Sequence, residues 1–163
     1  MAIADGVAAN AANFNAAFAD RGSFLLSYKA IIGSSSGCTH ATLAAAISDV
    51  GVVAGSRILV TENYTVDTSP ISISKANLQI DFSPAVTYTA GTSVTGITID
   101  AAGIKIKGCR FSGFTTAISI SSTFNYNWVT ECRFATCTNE VVEVDATPNN
   151  VILGNITEWK LFL

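Results

Sequence analysis

One segment of this chain repeats. Ile104-Lys105-Ile106-Lys107-Gly108-Cys109-Arg110-Phe111 returns 23 residues later as Asn127-Trp128-Val129-Thr130-Glu131-Cys132-Arg133-Phe134. A further step of that size lands on Val151-Ile152-Leu153-Gly154-Asn155-Ile156. Ile106, Val129 and Ile152 therefore correspond, as do Gly108, Glu131 and Gly154, and Cys109, Cys132 and Asn155. Short β-prone runs recurring at this spacing predict a solenoid, in which each turn stacks on the one before.

Other short runs surround the repeat: Arg57-Ile58-Leu59-Val60, Ile71-Ser72-Ile73, Leu78-Gln79-Ile80-Asp81-Phe82, Ile97-Thr98-Ile99, Ile118-Ser119-Ile120 and residues 141–144. Most alternate apolar and polar residues, so each strand has a buried and a wet face. Their spacing would also suit a β-sandwich. The echo favours a β-helix, because successive coils repeat a motif while sandwich strands need not. In this register Ile104, Ile106, Cys109 and Phe111 point inward. The parity changes across Gly108, which implies a bend between two strands of one coil, and Glu131 and Gly154 take the same corner later. Lys105 and Trp128 face outward one above the other, and so do Arg110 and Arg133, close to Glu131. About five coils of roughly 20–26 residues fit between positions 57 and 158.

The flanks differ in texture. Val7, Phe14 and Phe18, with Asn10, Ala11 and Ala17, fit a short amphipathic helix that Asp5 can cap. Residues 23–32 are too apolar to stay wet, and Gly33-Ser34-Ser35-Ser36-Gly37 reads as a flexible linker. Residues 1–36 are thus expected to form an attachment or oligomerisation segment, and 37–163 the main domain. A second helix is expected over 39–50, capped by Thr39, with Leu43, Ala44, Ile47 and Val50 on one face.

Composition removes several functions. Only 13% of residues are charged, so Ser, Thr and Asn must supply the polar surface. The net charge of −3 gives no basic face for nucleic acid, and no polybasic run suits an anionic membrane. No apolar stretch approaches the ~20 residues of a bilayer span. The opening residues lack the basic and apolar parts of a secretory signal, so cytoplasmic synthesis is expected. Neither a CxxC pair nor a second histidine accompanies Cys38, Cys109, Cys132, Cys137 and His40, so no metal or cofactor is expected. Cys109 and Cys132 are read as reduced, buried and stacked on adjacent turns.

Catalysis finds little footing. Asp81, Asp100, Glu131, Glu143 and Asp145 are the carboxylates available for glycoside cleavage, which needs two of them roughly 5–9.5 Å apart. Only Glu131 falls on a repeated outward corner, and its neighbours in the stack are glycines. A surface ion pair with Arg110 or Arg133 explains it more simply than lyase chemistry. His40 has no evident partner acid, and neither a phosphate loop nor a nucleophile elbow is present. No catalytic residue is therefore assigned. Phe124, Tyr126 and Trp128 alternate with asparagines and are expected on one outward face, with Arg110 and Arg133 nearby. Such rings serve a subunit interface, a glycan contact or burial under a loop. Val7, Phe14 and Phe18 either pack on the domain or, as expected of a separable element, serve as a docking peptide for a virion protein or bundle as a trimer.

Residues 39–49, Thr39-His40-Ala41-Thr42-Leu43-Ala44-Ala45-Ala46-Ile47-Ser48-Asp49, followed by Arg57-Ile58-Leu59-Val60, Asn63-Tyr64 and Ile71-Ser72-Ile73, resemble the opening of pectate-lyase-like right-handed parallel β-helices. Where those proteins often carry Pro-Pro-Gly before the tyrosine, this chain has Thr61-Glu62-Asn63. Residues 4–18 are similar to the head segment of bacteriophage tail fibres and related trimeric adhesins. The two resemblances together imply an all-β fold: a right-handed parallel β-helix capped by a short α-helix, behind an N-terminal helical attachment segment. They imply a non-enzymatic, homotrimeric virion protein of the tail-fibre or tail-spike kind, bound to a tail adaptor or capsid protein and able to meet host cell-surface polysaccharide. A capsid decoration protein or head fibre is the near alternative, and a polysaccharide depolymerase the alternative of another class. Physics also supports an oligomer: a short β-helix has open edges to cover, and Trp159-Lys160-Leu161-Phe162-Leu163, too apolar to lie free, is expected to bury against the final coil or a neighbouring subunit.

Overall fold

The computed structural model describes residues 28–66, 69–84, 86–92, 94–144 and 149–158. Each coil contributes three short strands. The chain enters through β1 (Ala30–Ile32) and a helix, α1 (Leu43–Ser48). The first full coil is β2 (Arg57–Val60), β3 (Tyr64–Val66) and β4 (Ile71–Ile73), and the second is β5 (Gln79–Phe82), β6 (Thr87–Ala90) and β7 (Thr95–Ile99). The third is β8 (Lys105–Lys107), β9 (Arg110–Ser112) and β10 (Thr116–Ile120), and the fourth β11 (Trp128–Thr130), β12 (Arg133–Ala135) and β13 (Asn139–Glu143). A partial coil, β14 (Val151–Leu153) and β15 (Ile156–Glu158), follows.

All pairings are parallel, and they build a six-stranded, a five-stranded and a four-stranded sheet around one core. This is a right-handed parallel β-helix. Four complete coils lie among the described residues, where about five were expected. Arg57, Gln79, Lys105, Trp128 and Val151 stack in one column, giving steps of 22, 26, 23 and 23 residues. The 23-residue echo is thus the pitch of the solenoid. The strand expected after the Gly108 bend is present as β9 and β12, but its counterparts β3 and β6 in the first two coils were concealed, because they are short and lie outside the echo.

Stacking makes the core. Ile58, Ile80, Ile106 and Val129 form one inward column, and Ile71, Ile97, Ile118 and Val141 another. A third is aromatic: Tyr64, Tyr88, Phe111 and Phe134, with the last two rings stacked at 5.6 Å. Cys109 and Cys132 lie buried as free thiols one coil apart. Asparagines tie the coils together over the same interval. Asn127 Oδ1 accepts the Ile104 amide at 2.8 Å, Asn150 Oδ1 the Asn127 amide at 2.9 Å, and Asn155 Oδ1 the Cys132 amide at 2.8 Å.

Left-handed corners let the strands turn. In one coil these are Gly103, Gly108 and Gly113, at φ of 73°, 84° and 80°. One step later the same corners are Tyr126, Glu131 and Thr136, at 64°, 56° and 53°.

A helix caps the entry end at β1 and β4. α1 buries Leu43, Ala46 and Ile47 against the first strands. Its cap is Thr42, which accepts the Ala45 amide, and not Thr39. Because the helix ends at Ser48, Val50 is almost fully exposed, and Ala44 also faces out. β1 pairs with β2, so this strand belongs to the solenoid. The Gly33–Gly37 stretch is a turn within the solenoid: Glu62 accepts the Ser34 amide at 2.7 Å and the Ser34 and Ser35 hydroxyls at 2.9 and 3.2 Å.

Candidate functional site

The six-stranded sheet turns two columns outward. One runs Arg57, Gln79, Lys105, Trp128, Val151, and the other Leu59, Asp81, Lys107, Thr130, Leu153. At the corner leading to the five-stranded sheet, Pro84, Gly108 and Glu131 edge two adjoining hollows of about 430 and 580 Å³. Together they form a groove that runs from Tyr28 and Arg57 round to Arg110, Arg133 and Glu158.

Asp81 lines the first hollow. It points outward by register yet is buried, because long side chains close over it. Arg57 Nη2 and Tyr28 Oη each donate to Asp81 Oδ2 at 3.0 Å, and Gln79 Nε2 reaches both carboxylate oxygens. The Arg57 guanidinium also lies 4.5 Å from the centre of the Tyr28 ring. Burial, and then the hydrogen bond to Asp81, push the Tyr28 phenol up. Sequence reasoning took Asp81 only as a loose carboxylate. Tyr28 and Arg57 escaped it because they lie 53 and 24 residues away. The 22-residue step from Arg57 to Gln79 was the signal that could have joined them.

The outer charges pair differently from the expectation. Arg110 and Arg133 do stack outward on β9 and β12. Their partner, however, is Glu158, at 2.6 and 3.9 Å, and not Glu131. Glu131 meets Lys107 at 3.1 Å. The reason is β15, the second strand of the next coil, which pairs with β12 and brings Glu158 two residues beyond Ile156, the register partner of Arg133.

The aromatic stripe does not share one strand face. Trp128 opens β11 and faces outward, 46% exposed, with Lys105 Nζ 5.6 Å from its ring centre. Tyr126 is exposed but sits at a left-handed corner, so alternation does not carry through it. Phe124 is half-buried in the turn before, where the Asn127 side chain holds its carbonyl. The 23-residue step from Gly103 to Tyr126 marked this corner in the sequence. Val7, Phe14 and Phe18 lie outside the described residues, as do residues 159–163.

His40 does have a partner acid. Its Nε2 lies 2.8 Å from Asp49 Oδ2, and its Nδ1 lies 2.8 Å from Thr39 Oγ1. Thr39 Oγ1 also accepts the Ile31 amide, so the chain of groups pins the helical cap to β1. Among the described residues no cluster of three or more His, Cys, Asp or Glu could hold a metal ion, and no helix is long and apolar enough to cross a membrane. No protein-family model, curated protein or solved structure matches this chain.

Proposed function

We propose that the chain is a non-enzymatic structural protein of a bacteriophage virion: a homotrimeric β-helical appendage of the tail-fibre or tail-spike kind, attached through its N-terminal segment. The observation that carries this reading is that the groove's charges are spent on one another. Asp81 is taken up by Tyr28, Arg57 and Gln79, Glu131 by Lys107, and Glu158 by Arg110 and Arg133. Such pairing stiffens the wall of a scaffold. The exposed Tyr126 and Trp128 add the kind of surface that subunit contacts use, and host-surface glycan is the other surface that suits such rings. A capsid decoration protein or head fibre would use the same features.

Sedimentation of the full chain is expected to give three times the chain mass, with Trp128→Ser shifting it towards the monomer. Mass spectrometry of purified particles of the encoding phage is expected to find its peptides. A monomer together with particles that lack the protein would overturn the proposal.

One observation favours a second reading. Asp81 and Glu131 line the same hollow, and glycoside cleavage requires two carboxylates in one groove. Release of reducing ends from capsular polysaccharide, lost in both Asp81→Asn and Glu131→Gln, would reassign the protein as a depolymerase.

A further inference from the structure

The two ends of the solenoid are unlike. At entry, the Thr39 and His40 amides donate to Ile31 O at 2.8 and 3.2 Å, so the outer edge of β1 is covered. At the other end β13, β14 and β15 each stand last in their sheets. Among the described residues no strand lies beyond them. The rim there is apolar: Val144, Leu153 and Ile156 are each more than half exposed, and Ile152 nearly so. An open edge with such a rim is a template for another strand.

The core columns change character at this end. Ile73, Ile99 and Ile120 are continued by Glu143, and Phe111 and Phe134 by Thr157. Glu143 Oε1 is buried and makes no hydrogen bond among the described residues. Glu140 bonds only the Thr157 hydroxyl among the described residues, and neither glutamate has a lysine or arginine in ion-pair reach there. A buried carboxylate oxygen without a donor is costly until something supplies one.

We propose that the open end is a strand acceptor for a partner protein. Its occupant is an extended segment with apolar residues on one side and a lysine or arginine on the other. The segment adds beside β13 as a fifth strand of the four-stranded sheet, sets its cation on Glu143 and Glu140, and lays its apolar side on the rim. A second copy fits poorly. Two such ends facing each other would oppose four glutamates, and like charges across a strand pair are destabilising. The entry end of another copy has its β1 edge covered and α1 laid against β4, so it is the less inviting face for a strand. The proposal stands apart from the virion assignment.

The test uses the full chain and a short fluorescent peptide alternating valine and lysine, read by anisotropy. Saturable binding is expected, weakened about tenfold or more by Glu143→Gln with Glu140→Gln. Leu153→Ser should weaken it too, while Glu62→Gln at the opposite end should not. The matching valine–glutamate peptide should not bind, and amide exchange of residues 141–143 should slow when the lysine peptide is added. Absence of binding, or equal binding of both peptides, overturns the proposal. So does binding that ignores the glutamate and leucine substitutions. Full protection of 141–143 in the peptide-free monomer would assign the end to the chain's own residues, and a dimer broken by Leu153→Lys would assign it to a second copy. Either result also overturns it.

Discussion

Glu131 holds a φ of +56° at a corner that its neighbours along the stack, Gly108 and Gly154, turn with glycine. A left-handed backbone costs a residue with a Cβ about 1–2 kcal/mol, part of which glycine gives back through its freer unfolded chain. The Lys107–Glu131 pair is more than half exposed on both sides and offsets little. Glu131→Gly is therefore expected to stabilise the protein by about 0.5–1 kcal/mol in chemical denaturation. A loss of stability would show that this side chain does more at the corner than meet Lys107. Thiols offer a second check at this scale. Burial pushes Cys132 up to about 11, holds Cys109 well above the usual thiol range and raises Cys137 as well. A thiolate-selective reagent should therefore label half-exposed Cys38 first and Cys137 slowly. Cys109 and Cys132 should react only on unfolding, and fast reaction of either would mean that the core opens in the native state.

The helical cap and the turn behind it respond to acid. The Gly51 amide, and then His40, hold the Asp49 carboxyl below its usual 3.8. The Ser34 amide and hydroxyl hold that of Glu62 below 4.5. A depressed carboxyl stabilises the fold above its unfolded value and loses that contribution as pH falls through the folded one. Amide exchange in Leu43–Ser48 and in the 33–37 turn is thus expected to quicken as pH drops below about 4.5, after correction for the intrinsic rate. Glu62→Gln should flatten the response in the turn, and an unchanged profile would count against that role for Glu62. How far these elements were legible varied with their contacts. The spacing of Leu43 and Ile47 located the helix, since its buried face is local. The cap moved from Thr39 to Thr42 because Thr39 is engaged by Ile31 and His40. β1 was hidden: Ala30–Ile32 reads as an apolar tail until Ile58–Val60 lies alongside. The Asp81 cluster was hidden for the same reason, because its members meet only when coils stack.

At the scale of the whole molecule the strands of each coil pair only with those of its neighbours, so stability is close to a sum of coil and interface terms, with the Tyr28–Asp81 and Arg110–Glu158 contacts reaching one coil further. One end is capped by α1 and the other carries no further strand among the described residues, which predicts a gradient. Hydrogen exchange should be slowest in β5 to β10 and fastest in β13 to β15, and uniform protection would indicate that the open end is covered in solution. The echo revealed the parallel solenoid because a constant step forces like residues into columns. It also marked the strand after the Gly108 bend, but not the counterparts β3 and β6 in the first two coils, which lie outside the echo and join the aromatic column only when Tyr64 and Tyr88 stack beneath Phe111. The asparagine hooks carry a consequence for length. Each spans 23 residues and clasps only the coil before it, so residues 105–127 amount to an interchangeable rung. A tandem copy of that rung would meet the same hooks above and below, and the rod would grow by about 4.8 Å with both ends unchanged. Reach, in such a molecule, is set by counting.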